Sequence, residues 1–118
     1  MTEKAGAVGA KAAGGEGIAT APLESCQSLA EVRENIDRLD DTIASLMCDR
    51  HHYVVEAAKF KPSVAGVVVP EREAAIIRRV RQIAAGRGVN PDAIEAVYRA
   101  MIAAFTRDEQ ERWREMHR

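Results

Sequence analysis

Apolar positions recur at steps of three and four along the middle of the chain, from Leu29 to Ala57. This spacing puts them on one face of an α-helix. Ser28 and Glu31 form the Ser-x-x-Glu pattern of a helix start, and neither proline nor glycine follows before Pro62. The pattern therefore predicts one long helix of roughly 33 residues, about 50 Å by the helical rise.

The apolar face of this helix is too long for the rest of the chain to cover. Helices of globular proteins usually run for about 8–20 residues, and only 118 residues are present in all. We therefore expect a partner to cover the face.

Two shorter helices are predicted after a loop at residues 62–70. Residues 71–85 form the second helix, and a Gly-Arg-Gly stretch ends it. Asn90 caps a third helix, with Pro91 in its first turn, that runs to the region of Trp113. The fold class is therefore all-α, with one long, one short and one medium helix. The predicted inward-facing residues are Ile76, Val80 and Ile83 in the second helix and Ile94, Val97, Tyr98, Met101, Ile102, Phe105 and Trp113 in the third.

Composition and charge narrow the class of protein. Residues 1–27 are rich in Ala and Gly and are predicted to form a disordered tail, which leaves residues 28–118 as one helical domain. The formal net charge of −1 excludes a global basic field for nucleic acid or an anionic membrane. No apolar run is long enough for a signal peptide or a bilayer span, so we expect a cytoplasmic location. Metal-ligand spacings and cofactor motifs are also missing, and we predict neither group.

Three cations interrupt the apolar pattern of the long helix: Arg33, Arg50 and Lys61. Burying an unpaired charge costs several kcal/mol, so three cations on one packing face indicate a bound polyanion more than side chains that reach water. Arg50 and Lys61 are 11 positions apart, about 16 Å along the axis, near enough to converge on one small ligand. Arg33 lies 17 positions before Arg50, about 25 Å away. If Arg33 serves a site, that site belongs to a second, antiparallel copy.

Charged residues of the other two helices are further candidates for the ligand-binding site. Arg72 is in the first turn of the second helix, where a cation opposes the helix dipole, and this indicates a specific role. The negative charge of Glu73 is partly explained by the same dipole, because an acid near the start of a helix is favourable. Glu109 falls between two large apolar residues of the third helix, where desolvation favours the neutral form that is able to donate a hydrogen bond. Gln110 is about 100° further round the helix and is expected to be solvated.

Short stretches of chemically distinctive residues follow one another in a fixed order and spacing. They occupy residues 32–37, 39–40, 49–50, 58–61, 70–73, 108–110 and 113–114. Together they resemble the all-helical class of chorismate mutases and, within it, the related isochorismate pyruvate lyases of salicylate biosynthesis. The resemblance covers residues 28–118. It implies an intertwined homodimer of three-helix subunits with two equivalent active sites, a dianionic enolpyruvyl substrate, and no metal or cofactor.

The resemblance also implies roles for individual residues. Arg33 looks like the arginine lent by the neighbouring subunit, and Arg50 like the arginine that grips a substrate carboxylate. Lys61 looks like the lysine that binds the enolpyruvyl ether oxygen and a carboxylate. Arg72 matches the arginine at the start of the second helix, and Glu73 matches the glutamate that holds the ring hydroxyl in the mutases.

Glu109 stands where many family members carry Gln and some carry Glu, donating to the ether oxygen. The activity implied first is the one-step rearrangement of chorismate to prephenate, and Glu73 favours it because the hydroxyl that it would bind sits there on chorismate. The alternative is elimination of pyruvate from isochorismate to give salicylate. Val69, in place of an acid found in some mutases, the short loop after Lys61 and the C-terminal residues favour this lyase. A third hypothesis is a non-catalytic dimerisation module whose cations pair with acids such as Asp40.

Overall fold

The computed structural model describes residues 23–118, and this part of the chain is helical, with no strand. The order of elements is α1 (Leu29–Ala57), a 3-10 turn (Ala58–Phe60), a second 3-10 turn (Ala65–Val67), α2 (Pro70–Gly86) and α3 (Pro91–Met116). The prediction of an all-α chain with a long, a short and a medium helix is confirmed. Most of the predicted disordered tail, residues 1–22, lies outside the described residues.

The start of α1 uses the predicted cap with one difference. The Ser28 hydroxyl accepts a hydrogen bond from the Glu31 amide at 3.1 Å. The Glu31 carboxylate accepts one from the Gln27 amide at 2.9 Å, one residue earlier than the predicted capping box requires. None of the residues of α1 is buried. Its exposed large apolar side chains are Leu29, Val32, Ile36, Ile43, Leu46, Met47 and Tyr53.

The end of α1 differs from the prediction. The α-helix has 29 residues instead of roughly 33, and it stops at Ala57 before the first 3-10 turn. Pro62 explains the difference, because a proline ring disfavours helical backbone angles at the residue before it. Lys61 accordingly has extended angles, φ −97° and ψ 141°. Lys61 therefore lies just beyond the helix on which it was predicted.

Helices α2 and α3 pack on each other, and both 3-10 turns pack on α3. The link between the helices is closed by a Schellman motif, in which the Val89 amide donates to the Ala84 carbonyl at 2.9 Å and Gly88 has a positive φ of 73°. The Asn90 side chain then accepts from the Asp92 amide at 2.9 Å, which confirms the predicted cap of α3. The buried apolar residues are Ala58, Val67, Ile76, Ile77, Val80, Ala84 and Met101.

Two residues predicted to face inward are exposed instead. Ile83 is 59% exposed and Val97 is 64% exposed. Both lie at the edge of the buried stripe of their helix. At 100° per residue, the middle of the buried positions is about 75° from Ile83 on α2 and about 80° from Val97 on α3. Steps of three and four identified the face of each helix but overestimated its width.

An ion network joins the C-terminal half of α2 to the start of α3. Arg81 donates to Asp92 at 2.9 Å and to Glu95 at 2.7 Å, and Arg99 donates to Glu95 at 2.6 Å. The hydrogen bond from Arg99, followed by the one from Arg81, lowers the pKa of Glu95 below its ordinary value. The hydrogen bonds from Arg81 to Asp92 and Glu95 raise the pKa of its guanidinium further above the usual range.

By its internal contacts the chain divides into two compact units, Met1–Asp41 and Thr42–Arg118. Among residues 23–118, no helix combines the length and the apolar character that crossing a bilayer requires.

Candidate active site

A cavity of about 280 Å³ lies within the unit Thr42–Arg118, between the second half of α1, the loop after it, α2 and α3. Its size is close to the lower end of typical small-molecule pockets, about 300 Å³. Much of its wall is apolar, with residues such as Val54, Ile76, Ile102 and Phe105. The predicted site residues that line it are Arg50, Lys61, Arg72, Glu73 and Glu109.

Lys61 and Glu109 form an ion pair in this cavity. The Lys61 Nζ atom lies 3.0 Å from Glu109 Oε2, and their side chains are only 22% and 7% exposed. The same ammonium donates to the Val67 carbonyl at 3.2 Å. An ammonium has three N–H donors, so one is left to point at a ligand. Glu109 accepts a hydrogen bond here, and its predicted donation to an ether oxygen stays a prediction.

Arg50 brings a cation to the same cavity, and no carboxylate of the described residues forms an ion pair with it. Its Nη1 atom is buried and has no hydrogen-bond partner among residues 23–118. The guanidinium carbon lies 5.9 Å from the centre of the Tyr98 ring, near the outer limit of a cation–π contact. A buried donor without an acceptor costs about 1–3 kcal/mol, and more when it is charged. Arg50 therefore offers unused hydrogen-bonding capacity to an anionic ligand.

The first turn of α2 supplies Arg72 and Glu73. The amides of both residues donate to the Val69 carbonyl, at 3.0 and 3.1 Å, which sets the start of the helix at the wall of the cavity. Arg72 is exposed and Glu73 is half-buried. Glu73 also lines a second cavity of about 260 Å³, together with Arg99 and Thr106. The wall at Glu73 is thus shared by the two cavities.

The remaining predicted residues lie elsewhere. Arg33 is exposed on α1 and belongs to the unit Met1–Asp41, so its proposed role in another subunit stays a prediction. Gln110 is half-buried, not fully solvated as expected, and it is not among the residues that line the cavity. Of the two neighbouring candidates on α3, Glu109 is the one that faces the cavity.

Several contributors were missed from the sequence. Thr106 lines both cavities, and its position one helical turn before Glu109 was a signal that the pattern offered. His51 pairs with Asp108 at 2.9 Å, while its ring meets Phe105 edge-on at 4.8 Å. These contacts join α1 to α3 at the residues next to Arg50 and Glu109. The sequence pattern did not predict these contacts, because they depend on how α1 packs against α3.

The backbone of Lys61 has a partner of its own. Trp113 Nε1 donates to the Lys61 carbonyl at 2.9 Å. The Trp113 ring stacks on His117 with centroids 4.0 Å apart, and a 2.8 Å hydrogen bond joins His117 Nδ1 to the Trp113 carbonyl. The C-terminal end of α3 therefore contacts the segment that carries the lysine of the site.

Fold and site together define a helical protein with a cavity whose wall combines apolar residues with an arginine and a lysine. The family model for chorismate mutase type II matches residues 32–110. The chain therefore belongs to the chorismate mutase type II family. All the predicted site residues, from Arg33 to Glu109, lie within the matched segment.

Two relatives illustrate the range of similar proteins. The isochorismate pyruvate lyase of Pseudomonas aeruginosa is 33% identical over 92 residues, which cover 78% of this chain and 91% of that protein. The T-protein of Enterobacter agglomerans is 35% identical over 75 residues, which cover 63% of this chain but only 20% of the T-protein. The chain thus belongs to a family of enzymes that is named for a mutase and is similar to a relative that is named a lyase.

Proposed function

We propose that this protein is a chorismate mutase, which rearranges chorismate to prephenate. One observation carries the proposal: the same cavity is lined by Arg50 and by Lys61. The buried Arg50 Nη1 atom has no acceptor in the described part of the chain, and the Lys61 ammonium has a third N–H beyond those that bond to Glu109 and Val67. The substrate is a dianion with one carboxylate on the ring and one on the enolpyruvyl group. Two cations in the lining of one small cavity match that charge.

The proposed mechanism is positioning combined with electrostatic stabilisation. In the rearrangement the ether C–O bond breaks while a C–C bond forms between the enolpyruvyl methylene and the ring. Arg50 holds a carboxylate so that the side chain stays folded over the ring, which lowers the entropic part of the barrier. Lys61 donates to the ether oxygen as negative charge grows there, and donors placed in this way contribute about 3–4 kcal/mol each.

Glu109 is proposed as a second donor to the ether oxygen in its protonated form. Binding of the substrate would then exchange the hydrogen bond between Lys61 and Glu109 for hydrogen bonds from both groups to the ligand. Glu109→Gln should keep turnover because an amide also donates a hydrogen bond, whereas Glu109→Ala should lose it because the donor is removed. A fully active Glu109→Ala variant would take Glu109 out of the mechanism.

Glu73 supports the mutase over the lyase. Its carboxylate is at the cavity wall, where it is available to accept a hydrogen bond from the ring hydroxyl of chorismate. The lyase is the second candidate, and its support is the 33% identity to a named isochorismate pyruvate lyase over nearly the whole of that protein.

The test is to offer both substrates to the purified protein and to separate the products. We expect prephenate from chorismate, with a much smaller yield of salicylate from isochorismate. Glu73→Gln should lower the efficiency on chorismate, because the stronger, charged acceptor is lost. Salicylate as the main product would replace the mutase by the lyase. No product from either substrate would refute both.

The hypothesis of a non-catalytic dimerisation module predicts that Arg50 and Lys61 both form internal salt bridges and that no cavity is left. Lys61 does pair with Glu109. Arg50 Nη1, in contrast, has no partner within residues 23–118, and a cavity lies beside it. These two observations favour an enzyme.

The proposal includes a homodimer in which Arg33 is lent to the site of the other subunit. Its support is α1, which has no buried residue and exposes a row of large apolar side chains. Exposed apolar stretches of this kind mark interaction surfaces. Sedimentation equilibrium should give twice the mass of the 12.9 kDa chain, and a monomer at micromolar concentration would contradict the proposal. The cytoplasmic location stays a prediction.

A further inference from the structure

The backbone at Lys61 is not held by regular helical hydrogen bonds. Its amide donates to the Ala58 carbonyl at 3.3 Å, which closes the 3-10 turn, and its own backbone is extended because Pro62 follows. In a continuing helix the Lys61 carbonyl would accept from the amide four residues later. Here it accepts from the Trp113 indole at 2.9 Å instead. The end of the helix thus frees the acceptor that Trp113 uses.

Trp113 is itself held in place at the C-terminal end of α3. Its ring is stacked on His117 with an interplanar angle of 16°, and the hydrogen bond between His117 Nδ1 and the Trp113 carbonyl fixes that stack. Trp113 follows Glu109 by four residues, about one helical turn. One face of α3 therefore contacts Lys61 twice, with the indole at its carbonyl and the Glu109 carboxylate at its ammonium.

We infer that Trp113 is a positioning residue for Lys61, whose backbone it anchors so that the ammonium points into the cavity. The inference rests on the proposed function only for its kinetic consequence. A lysine has four rotatable side-chain bonds, so two contacts with one rigid helix restrict its direction far more than the ion pair alone. A displacement of about 1 Å in a catalytic group costs about 100-fold in rate.

The kinetic test uses Trp113→Phe, which keeps an aromatic ring and removes the N–H donor. We expect kcat to fall by about 10- to 100-fold with little change in KM, because Lys61 acts mainly on charge that develops during the reaction. Arg114→Ala is the matched control, since it removes only an exposed 3.5 Å ion pair with Glu111 from the same turn, and its kcat should stay normal. A kcat of wild-type size in Trp113→Phe, with the variant folded, would overturn the inference.

A second test does not depend on turnover. Acetylation by acetic anhydride, read by mass spectrometry, compares Lys61 with its neighbour Lys59, whose side chain is 53% exposed against 22% for Lys61. We expect Lys61 to react more slowly than Lys59 in the wild type. The ratio of the Lys61 rate to the Lys59 rate should rise in Trp113→Phe and stay constant in Arg114→Ala. An unchanged ratio in Trp113→Phe would overturn the inference, even if neither substrate is turned over and the proposed function fails.

The wild-type protein provides a further check if Trp113→Phe does not fold. The chain contains one tryptophan, so the indole N–H gives a single nuclear magnetic resonance signal. Hydrogen-bonded to Lys61, this proton should exchange with water much more slowly than that of a free indole. Exchange at the free rate would show that the anchor does not exist and would overturn the inference.

Discussion

Replacing Arg50 by Met should make the protein more stable while it destroys the site. The guanidinium has a buried Nη1 atom without an acceptor in the described part of the chain. Such a donor destabilises the folded state by about 1–3 kcal/mol. Met is of similar length, has no donor and packs well in irregular spaces, so the substitution removes this penalty.

The gain is reduced by the loss of the contact with Tyr98. At 5.9 Å from the ring centre this cation–π contact is at its outer limit, and such contacts contribute about 0.5–1 kcal/mol. The expected net change is an increase of about 1 kcal/mol in the free energy of unfolding. For a domain of this size, an increase of that magnitude raises Tm by about 4–8 °C.

The assay is urea unfolding together with a thermal melt, both at one protein concentration because association changes apparent stability. Arg99→Met is the matched control, since Arg99 donates to Glu95 at 2.6 Å and its removal should lower stability by up to about 1 kcal/mol. The catalytic efficiency of Arg50→Met should fall by at least about 30-fold, because truncating a buried charged partner of a ligand costs about 2–5 kcal/mol. An Arg50→Met protein less stable than the wild type would refute the idea that this arginine is kept for a ligand.

Two further predictions concern Lys61 and Glu95. Lys61→Ala should lose turnover and keep its fold, as measured by a product assay and by circular dichroism. Lys59→Ala, which removes only an exposed ion pair with Glu56, should keep both turnover and fold. A fully active Lys61→Ala variant would count against the site. Hydrogen bonds from Arg99 and, to a smaller extent, from Arg81 lower the pKa of Glu95 from 4.5. The ionised carboxylate therefore stabilises the folded state fully above about pH 4.5. This stabilisation is lost as the pH falls through the lowered pKa. Glu95→Gln should therefore melt below the wild type at pH 6 and approach it at about pH 3, and a constant gap in Tm would contradict this.

The residues that line the candidate cavity were predictable in part from two kinds of information, and their roles stay predictions. Cations at apolar positions of a periodic pattern pointed to Arg50 and Lys61. The first turn of the second helix pointed to Arg72 and Glu73, and the apolar neighbours of one carboxylate pointed to Glu109. The family resemblance then implied a role for each of them. All five line one cavity. Helical periodicity fixes the direction in which a side chain leaves its helix, so it is a good guide to which residues share a face.

Contacts between residues distant in sequence were not predictable in this way. The hydrogen bond that Lys61 donates to Glu109 was not predicted, because the two residues are 48 positions apart in the chain. The anchor from Trp113 exists only because Pro62 ends the helical backbone before Lys61 and leaves its carbonyl open. A local pattern describes one helix at a time, whereas these partners are set by where the helices end and how they pack.

The most direct test of the account is complementation between two inactive variants, Arg33→Ala and Arg50→Ala. If each site combines Arg50 of one subunit with Arg33 of the other, neither of the two parent homodimers has an intact site. Unfolding and refolding an equal mixture makes heterodimers about half of all dimers, each with one intact site, so activity should return to about a quarter of the wild-type level. Activity no greater than the sum of the two parents would contradict the claim that Arg33 crosses to the neighbouring site.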